Sequence, residues 1–478
     1  MRFCVTWVRD MLALAVHSHF YQPPREDPFT GVMPVEPQAA PYHDFNEKVT
    51  AECYRPLAER SVFERLSFNI GPTLMGWLAR YAPDVYTRIT DADRSQVKQT
   101  GVGSALAQPA HHTILPLARR RDKLTQVRWG IASFRHRFGR QPRGMWLPEM
   151  AVDLETLDVL SEEGLSFTIL SEQQVSGDLR AGAGPYRVRL PRGGYFAVFV
   201  RDRDLSDAVA FSLPKLGDAR VWASEVLTGR GGQLTVIATD GETFGHHHRQ
   251  GIDFLEALLS GGDLIGGKPG PYAVLSLADY LRRHPPTIEV EVKERTAWSC
   301  WHGLDRWDAG CDCTPGDSSW KPALRSALDL LADEIDAMYL HETRRVVEQS
   351  WRLVDESIDI VLGLADMRTL VNEHAKNILH VGHSQRIGHL VKAQLHRQRM
   401  FTSCGWFFDD LDRFEPRYVV ANAARAIQLC CQATGVDLGP VFRETLVSAR
   451  SGVSGLTAAE VYDGIVVHAE EVAPQTGH

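Results

Sequence analysis

Two carboxylates, each placed just after an apolar run, are the strongest chemical signal in this chain. Trp146, Leu147, Pro148 and Glu149 close one such run. A sugar ring could stack on the indole there while Glu149 approaches its anomeric carbon. The competing reading has Glu149 favouring a first helical turn after Pro148, where its charge suits the helix dipole. The second acid, Asp240, follows Val236, Ile237 and Ala238 and is itself followed by Gly241, Glu242, Gly245, His246, His247 and His248. Burying so many titratable groups is costly unless they are paired or used. The expectation is that Asp240, Glu242, His246 and His247 serve a site, with one or two of the three histidines facing substrate and the rest solvated.

Three further groups could join them. His17 and His19 are two residues apart in an apolar run, so a strand points both to one face, with Gln22 just beyond. They suit hydrogen bonding to sugar hydroxyls, or metal binding, since a strand-end His-x-His also serves metal hydrolases. His112 is a weaker candidate, equally readable as a core histidine. Trp298, Trp301, His302, Asp305, Arg306 and Trp307 form a dense cluster suited to stacking on sugars and binding hydroxyls, with Trp301 and His302 as its candidate contacts. Cys300, Cys311 and Cys313 lie beside them with His302 among them; a structural zinc or cluster site is one reading, but the paired C-x-x-C spacing of strong zinc motifs is lacking, so reduced thiols are the expectation. No metal and no cofactor is called for.

The elements that must position these residues follow from periodicity. Seven short apolar or β-rich runs, at residues 11–19, 65–70, 97–106, 143–147, 166–170, 195–200 and 234–240, alternate with helical patterns such as 117–138 and 153–163. Gly164 sits where a C-cap would stop the second of these helices. Repeated βα units imply a parallel sheet, in a barrel related to the eight-stranded type or an open doubly wound sheet, with reactive residues at the C-terminal strand ends. Pro285 and Pro286 mark a break. Beyond Pro322, amphipathic stretches at 324–340, 343–364, 367–398 and 418–433 predict a helical domain. The expected division is an extension at 1–10, a catalytic barrel at 11–285, a Trp/Cys-rich loop completing the active site at 286–320, and helices at 321–478.

The 478 residues are 44% hydrophobic and 23% charged, with a formal charge of −8, which argues against general nucleic-acid binding. No run approaches a membrane span, and the apolar run at 11–16 ends in His17, not in a small-residue cleavage site, so cytoplasmic residence is expected. A carbohydrate is the expected partner; the oligomeric state is not readable.

Taken in order, these segments resemble glycoside hydrolase family 57 over roughly residues 11–310. His17 to Gln22 resembles its first motif, residues 71–74 fall in its second region, and Trp146 to Glu149 resembles its nucleophile motif. Asp240 to His246 resembles its acid/base motif, and residues 298–307 lie near its last region. Residues 400–410 resemble a C-terminal helical domain of unassigned function found in one branch of the family. The resemblance implies an incomplete (β/α)7 barrel, a retaining mechanism and α-glucan chemistry of the amylase, glucanotransferase or branching type. It implies Glu149 as nucleophile and Asp240 as general acid/base. Two other readings stay open from the residues: a metal-dependent amidohydrolase built on His17, His19, His112 and Asp240, and a non-catalytic glycan-binding or regulatory protein.

Overall fold

The computed structural model describes residues 12–180, 182–228, 233–261, 263 and 270–472. Residues 1–10, expected as an extension, and Met11 lie outside them. The chain divides into two units: one comprises the residues up to Gln22, Val35–Pro109 and Phe134–Trp298, the other Pro23–Pro34, Ala110–Ser133 and the chain from Ser299 on. Segments 23–34 and 110–133 thus interrupt the span expected for the barrel.

The first unit is an incomplete (β/α)7 barrel. Its strands in chain order are β1 (Ala13–Phe20), β2 (Ser67–Ile70), β3 (Ala105–Leu106), β4 (Phe167–Ser171), β5 (Val175–Gly177), β6 (Tyr186–Arg189), β7 (Tyr195–Arg201), β8 (Leu234–Asp240), β9 (Ala273–Val274) and β10 (Val290–Val292). All eight residues of β1 are buried, as expected of a parallel strand covered on both faces. It pairs in parallel with β8 on one edge and with β2 and β9 on the other, and β2 pairs with β3. The ring continues through parallel bridges from Ala107 to Met145 and from Gly144 to Phe167, then through the parallel β4–β7 pair. Between β7 and β8 the ladder gives way to single bonds: Asp202 N–H donates to the Val236 carbonyl at 2.8 Å, and Ala238 N–H to Ser206 Oγ at 3.1 Å. This is the incomplete seam.

The expected strands match this ring with two corrections. Residues 97–106 are not one strand: a helix, Pro83–Thr100, occupies the first part and only Ala105–Leu106 is extended. Val85, Ile89 and Ala92 bury one face of that helix at three- and four-residue spacing, so helical periodicity prevails over the local β signal. Residues 143–147 contribute isolated bridges and no full strand. The helix expected at 153–163 spans Leu154–Glu162; Asp153 caps it by accepting from Thr156 N–H at 2.7 Å, and Gly164 adopts φ 81° just past its end. The antiparallel pairs β6–β7 and β5–β10 are additional to the expected elements.

The second unit is helical, with long elements Trp320–Thr343, Val381–Arg399, Phe414–Thr434 and Ala458–Glu471. The stretches at 343–364 and 367–398 are each broken, into Ser350–Glu356 with Ile358–Val361 and into Met367–Glu373 with Val381–Arg399. One bridge interrupts both stretches, keeping 346–348 out of the first and 374–376 out of the second. Glu348 N–H donates to the His374 carbonyl and Lys376 N–H to Val346, diverting backbone groups that a continuous helix would use. In this unit the enclosed Arg397 guanidinium pairs with Asp122 at 2.7 Å and Asp336 at 2.8 Å. No helix among the described residues is long and apolar enough to cross a membrane.

Candidate active site

The site forms at the C-terminal ends of the barrel strands, beginning with the β1 histidines. In the parallel register, His19 lies opposite Asn69 of β2 on one side and Asp240 of β8 on the other. Both rings of the His-x-His pair stack on Trp146, His17 with centroids 5.0 Å apart and His19 with 4.8 Å, so they do share one face. His17 is fully enclosed, and burial lowers its pKa to about 3, so the ring is neutral. Its Nε2 proton is assigned to Asn69 Oδ1 at 3.0 Å, and its Nδ1 accepts from Ser67 Oγ at 3.1 Å. Asn69 Nδ2 in turn donates to His19 Nδ1 at 2.9 Å and to Gln108 Oε1 at 2.6 Å. With Nδ1 accepting, the His19 proton sits on Nε2, the orientation a hydroxyl-binding histidine needs. Because both ring nitrogens of His17 are engaged, the strand motif does not offer the paired ligands a hydrolytic metal would require.

Trp146 corrects the stacking role expected for it. Its indole is completely buried beneath the two histidines and offers no open face to a sugar. The half-exposed indole near Glu149 belongs instead to Trp298, set edge-on to Trp146 at 5.3 Å.

Glu149 sits on a tight turn, Pro148–Met150, with φ 57° and ψ 20°; Met150 follows at φ 48°. Consecutive left-handed residues other than glycine are strained, and the strain aims a partly exposed carboxylate outward from an otherwise buried segment. The turn is pinned at two points, because Trp298 N–H donates to the Glu149 carbonyl at 3.0 Å and Trp298 Nε1–H to Glu149 Oε2 at 3.0 Å. A donor to the charged form keeps that carboxylate in place.

Asp240, at the tip of β8, is open to solvent. Crowding by protein, then the charges of Glu242 and Glu149, push its carboxyl up to about 8, while Arg201 pulls the other way. Water at the exposed side chain tempers the crowding, and the two like charges keep the shift upward. The influence of Glu149 on Asp240 brings the two acids, 91 residues apart in the chain, into one electrostatic unit.

Arg201 ends β7 and spans the floor. It donates to Ser171 Oγ (3.1 Å), the Ala238 carbonyl (3.2 Å) and Asp207 Oδ1 (3.2 Å), with its guanidinium 5.0 Å over the Trp298 ring. Glu242 is buried and its carboxyl is pushed up to about 7 by that burial, opposed by Tyr54 O–H at 2.5 Å and by bonds from Tyr21 N–H and the Gln22 side chain. Gln22 therefore sits beside Glu242, as a ligand of a site residue. His246 Nδ1 bonds Glu52 Oε2 at 2.5 Å, His247 is exposed, and His248 Nε2 donates to the Ala210 carbonyl at 2.8 Å. Gly245 makes this loop possible: it adopts φ 118°, and a Cβ there would lie 2.3 Å from the Glu52 carbonyl.

The remaining candidates belong to the second unit. His112 is buried at φ 54°, bonded through Nδ1 to Ser403 Oγ at 2.6 Å, and burial lowers its pKa to about 3. Trp301 and His302 are exposed. Asn69, Gln108, Tyr54 and Arg201 were not singled out by sequence reasoning. The signal for Arg201 was the same as for Asp240, a polar residue at a strand tip, one position past the expected end of its strand. Asn69 was legible as a polar residue inside an apolar run.

The barrel span, residues 12–293, matches the glycosyl hydrolase family 57 profile, and residues 317–476 match a domain of unknown function, DUF3536. Alpha-amylase 1 of Dictyoglomus thermophilum is 22% identical over 206 residues, 42% of this chain and 29% of that protein, so the match spans under a third of the relative. Among solved structures, an exo-type maltose-forming amylase from Pyrococcus sp. ST04 superposes with TM-score 0.72 at 15% identity, covering 96% of this chain and 88% of the other. A family 57-type branching enzyme from Pyrococcus horikoshii gives TM-score 0.60 at 16% identity, over 94% and 97% of the two chains. The strand-tip acids, their strained and hydrogen-bonded setting, and the profile match over more than half of the sequence lead to one assignment: this chain belongs to glycosyl hydrolase family 57.

Proposed function

We propose that this glycoside hydrolase cleaves or transfers α-glucan chains with retention of configuration, Glu149 acting as nucleophile and Asp240 as general acid/base. The observation that carries the reading is the asymmetry of the two acids. The like charges of Glu242 and Glu149 raise the Asp240 carboxyl and favour its protonated form, whereas Glu149 receives an indole N–H that favours its charged form. Two carboxyls in one site whose surroundings differ in this way divide acid and base work between them.

In the first step Glu149 attacks the anomeric carbon while Asp240 protonates the departing glycosidic oxygen, forming a glycosyl ester on Glu149 and freeing the reducing-end fragment. Asp240, now ionised, takes a proton from water or from an acceptor sugar hydroxyl, which displaces Glu149. Such a displacement requires carboxyls about 5–5.5 Å apart. Arg201 lies against the face that Asp240 and Trp298 present and balances the charge that develops as Asp240 loses its proton. The His19 Nε2 proton suits a sugar hydroxyl. The α-glucan class is carried over from the named amylase and branching-enzyme relatives.

Glu149→Ala is the test, assayed on maltooligosaccharides and glycogen with products resolved by chain length. Loss of turnover with substrate binding retained is expected. Activity near that of the unmodified enzyme would overturn the assignment.

A further inference from the structure

Four side chains of the second unit converge although their spacing lacks the usual zinc signature. Cys300, His302, Cys311 and Cys313 place one ligand atom each within 4.8 Å of all the others. Cys300 Sγ is 3.7 Å from Cys311 Sγ and 3.9 Å from Cys313 Sγ, and His302 Nδ1 is 3.3 Å from Cys313 Sγ. The three cysteines are free thiols, not disulfides. Zinc bonds of about 2.3 Å to sulfur and 2.0–2.1 Å to nitrogen, arranged tetrahedrally, give edges of about 3.8 Å between sulfurs and about 3.5 Å between sulfur and nitrogen. The three spacings of 3.7, 3.9 and 3.3 Å are close to those edges, and the remaining pairs lie within 4.8 Å. A multi-iron cluster, with its metals and bridging sulfides at the centre, would need its cysteines spread wider.

The surroundings fit as well. His302 Nε2 lies 3.5 Å from Asp312 Oδ1, so a carboxylate faces the proton of a ring whose Nδ1 would take the metal, the arrangement that fixes a ligating histidine. Arg306 donates to the Cys313 carbonyl at 2.9 Å and to the Phe407 carbonyl at 3.3 Å, holding the second cysteine pair to the helical core. Lys321 supplies an independent observation. It is completely enclosed and its Nζ has no hydrogen-bond partner among the described residues, with Asp409 the carboxylate that acts on it. A buried ammonium without a hydrogen-bonded counter-charge is costly. A centre of three thiolates, one neutral imidazole and Zn2+ carries one net negative charge and would balance it.

We propose that Cys300, His302, Cys311 and Cys313 bind one structural zinc ion. Binding replaces three thiol protons, which leave to solvent, by three zinc–sulfur bonds and one zinc–nitrogen bond, with no change of oxidation state. All four positions are filled by protein, so the ion pins the segment 300–313 and leaves no open position for chemistry. The site stands independently of the proposed glycosidase mechanism.

The test uses the full-length protein, produced with zinc and purified under reducing conditions without chelator. Elemental analysis should find about one zinc per chain. The Cys311→Ser/Cys313→Ser double variant should fall to background, and cobalt(II) alone, added to stripped protein, should give the intense visible bands of a tetrahedral thiolate site. Should that double variant fail to fold, His302→Gln, at an exposed position, still reports: its cobalt spectrum should change and its zinc affinity fall at least 10-fold. Reduced protein without zinc whose three thiols all react freely, a native disulfide among the three, iron in place of zinc, or an unchanged zinc affinity and cobalt spectrum in His302→Gln would each overturn the proposal.

Discussion

Replacing Glu242 with Gln removes one of the two like charges that raise the Asp240 carboxyl while keeping an acceptor for Tyr54 O–H. Both carboxyls are raised, Asp240 in part by the charge of Glu242, so an ionised Glu242 opposes loss of the Asp240 proton. For two carboxylates about 5–7 Å apart at an effective dielectric of about 40, suited to a partly solvated mouth, the repulsion is roughly 1.2–1.7 kcal/mol, or about one pH unit. The sign is fixed: without the neighbouring charge, ionised Asp240 is more stable, its pKa falls, and the proton donor is lost at lower pH. The alkaline limb of kcat/KM on a maltooligosaccharide should therefore move acidward by about one unit in Glu242→Gln. Tyr54→Phe should move it the same way by less, since loss of the donated hydrogen bond keeps Glu242 protonated to higher pH. An alkaline limb that stays in place or moves upward in Glu242→Gln would refute this electrostatic account, whatever happens to the absolute rate.

Other outcomes follow from the same geometry. Glu149→Gly should be more stable than Glu149→Ala by about 1 kcal/mol, and so melt at a higher temperature, because glycine relieves the left-handed strain at φ 57°; equal melting temperatures would remove strain from the account of the nucleophile turn. Gly245→Ala should cost about 2–4 kcal/mol in denaturant unfolding, since its Cβ meets the Glu52 carbonyl and its φ is 118°, and it should also impair activity by displacing His246. In the helical unit, Arg397→Ala removes the fully enclosed partner of Asp122 and Asp336, which keep Arg121, and should cost about 3 kcal/mol in chemical denaturation, whereas Arg397→Met should be milder.

The positions of the chemistry were legible because strand-end placement follows from two simple patterns, an apolar run and the polar residue that ends it. Asp240 and Glu149 both emerge that way, as does the shared face of His17 and His19. What each side chain touches was not legible, because that depends on register between distant strands. His17 turns out to be a neutral brace behind Asn69, and Trp146, set beside the nucleophile in sequence, is buried under histidines by parallel pairing that no local window contains. The stacking surface expected of it lies with Trp298, 149 residues beyond Glu149. Periodicity misjudged residues 97–106 because alternating polar residues near a helix end mimic a strand, and it ran 343–364 and 367–398 each as one stretch because the bridge that takes 346–348 and 374–376 out of helix is a tertiary event. The cysteine spacing pointed away from a metal for a similar reason: only folding brings Cys300 and His302 to Cys311 and Cys313.

The central claim concerns a covalent bond to one atom group, and it can be read by mass. In Asp240→Asn enzyme, an α-glucosyl or maltosyl fluoride needs no acid to lose fluoride, so Glu149 is still glycosylated, while hydrolysis of the ester lacks its base and slows. Intact and peptide mass spectrometry of the quenched enzyme should find a glycosyl adduct on the peptide carrying Glu149, absent when Glu149 is also changed to Gln. An adduct on another carboxylate, or steady turnover of the fluoride with no adduct and with inverted product, would contradict the account.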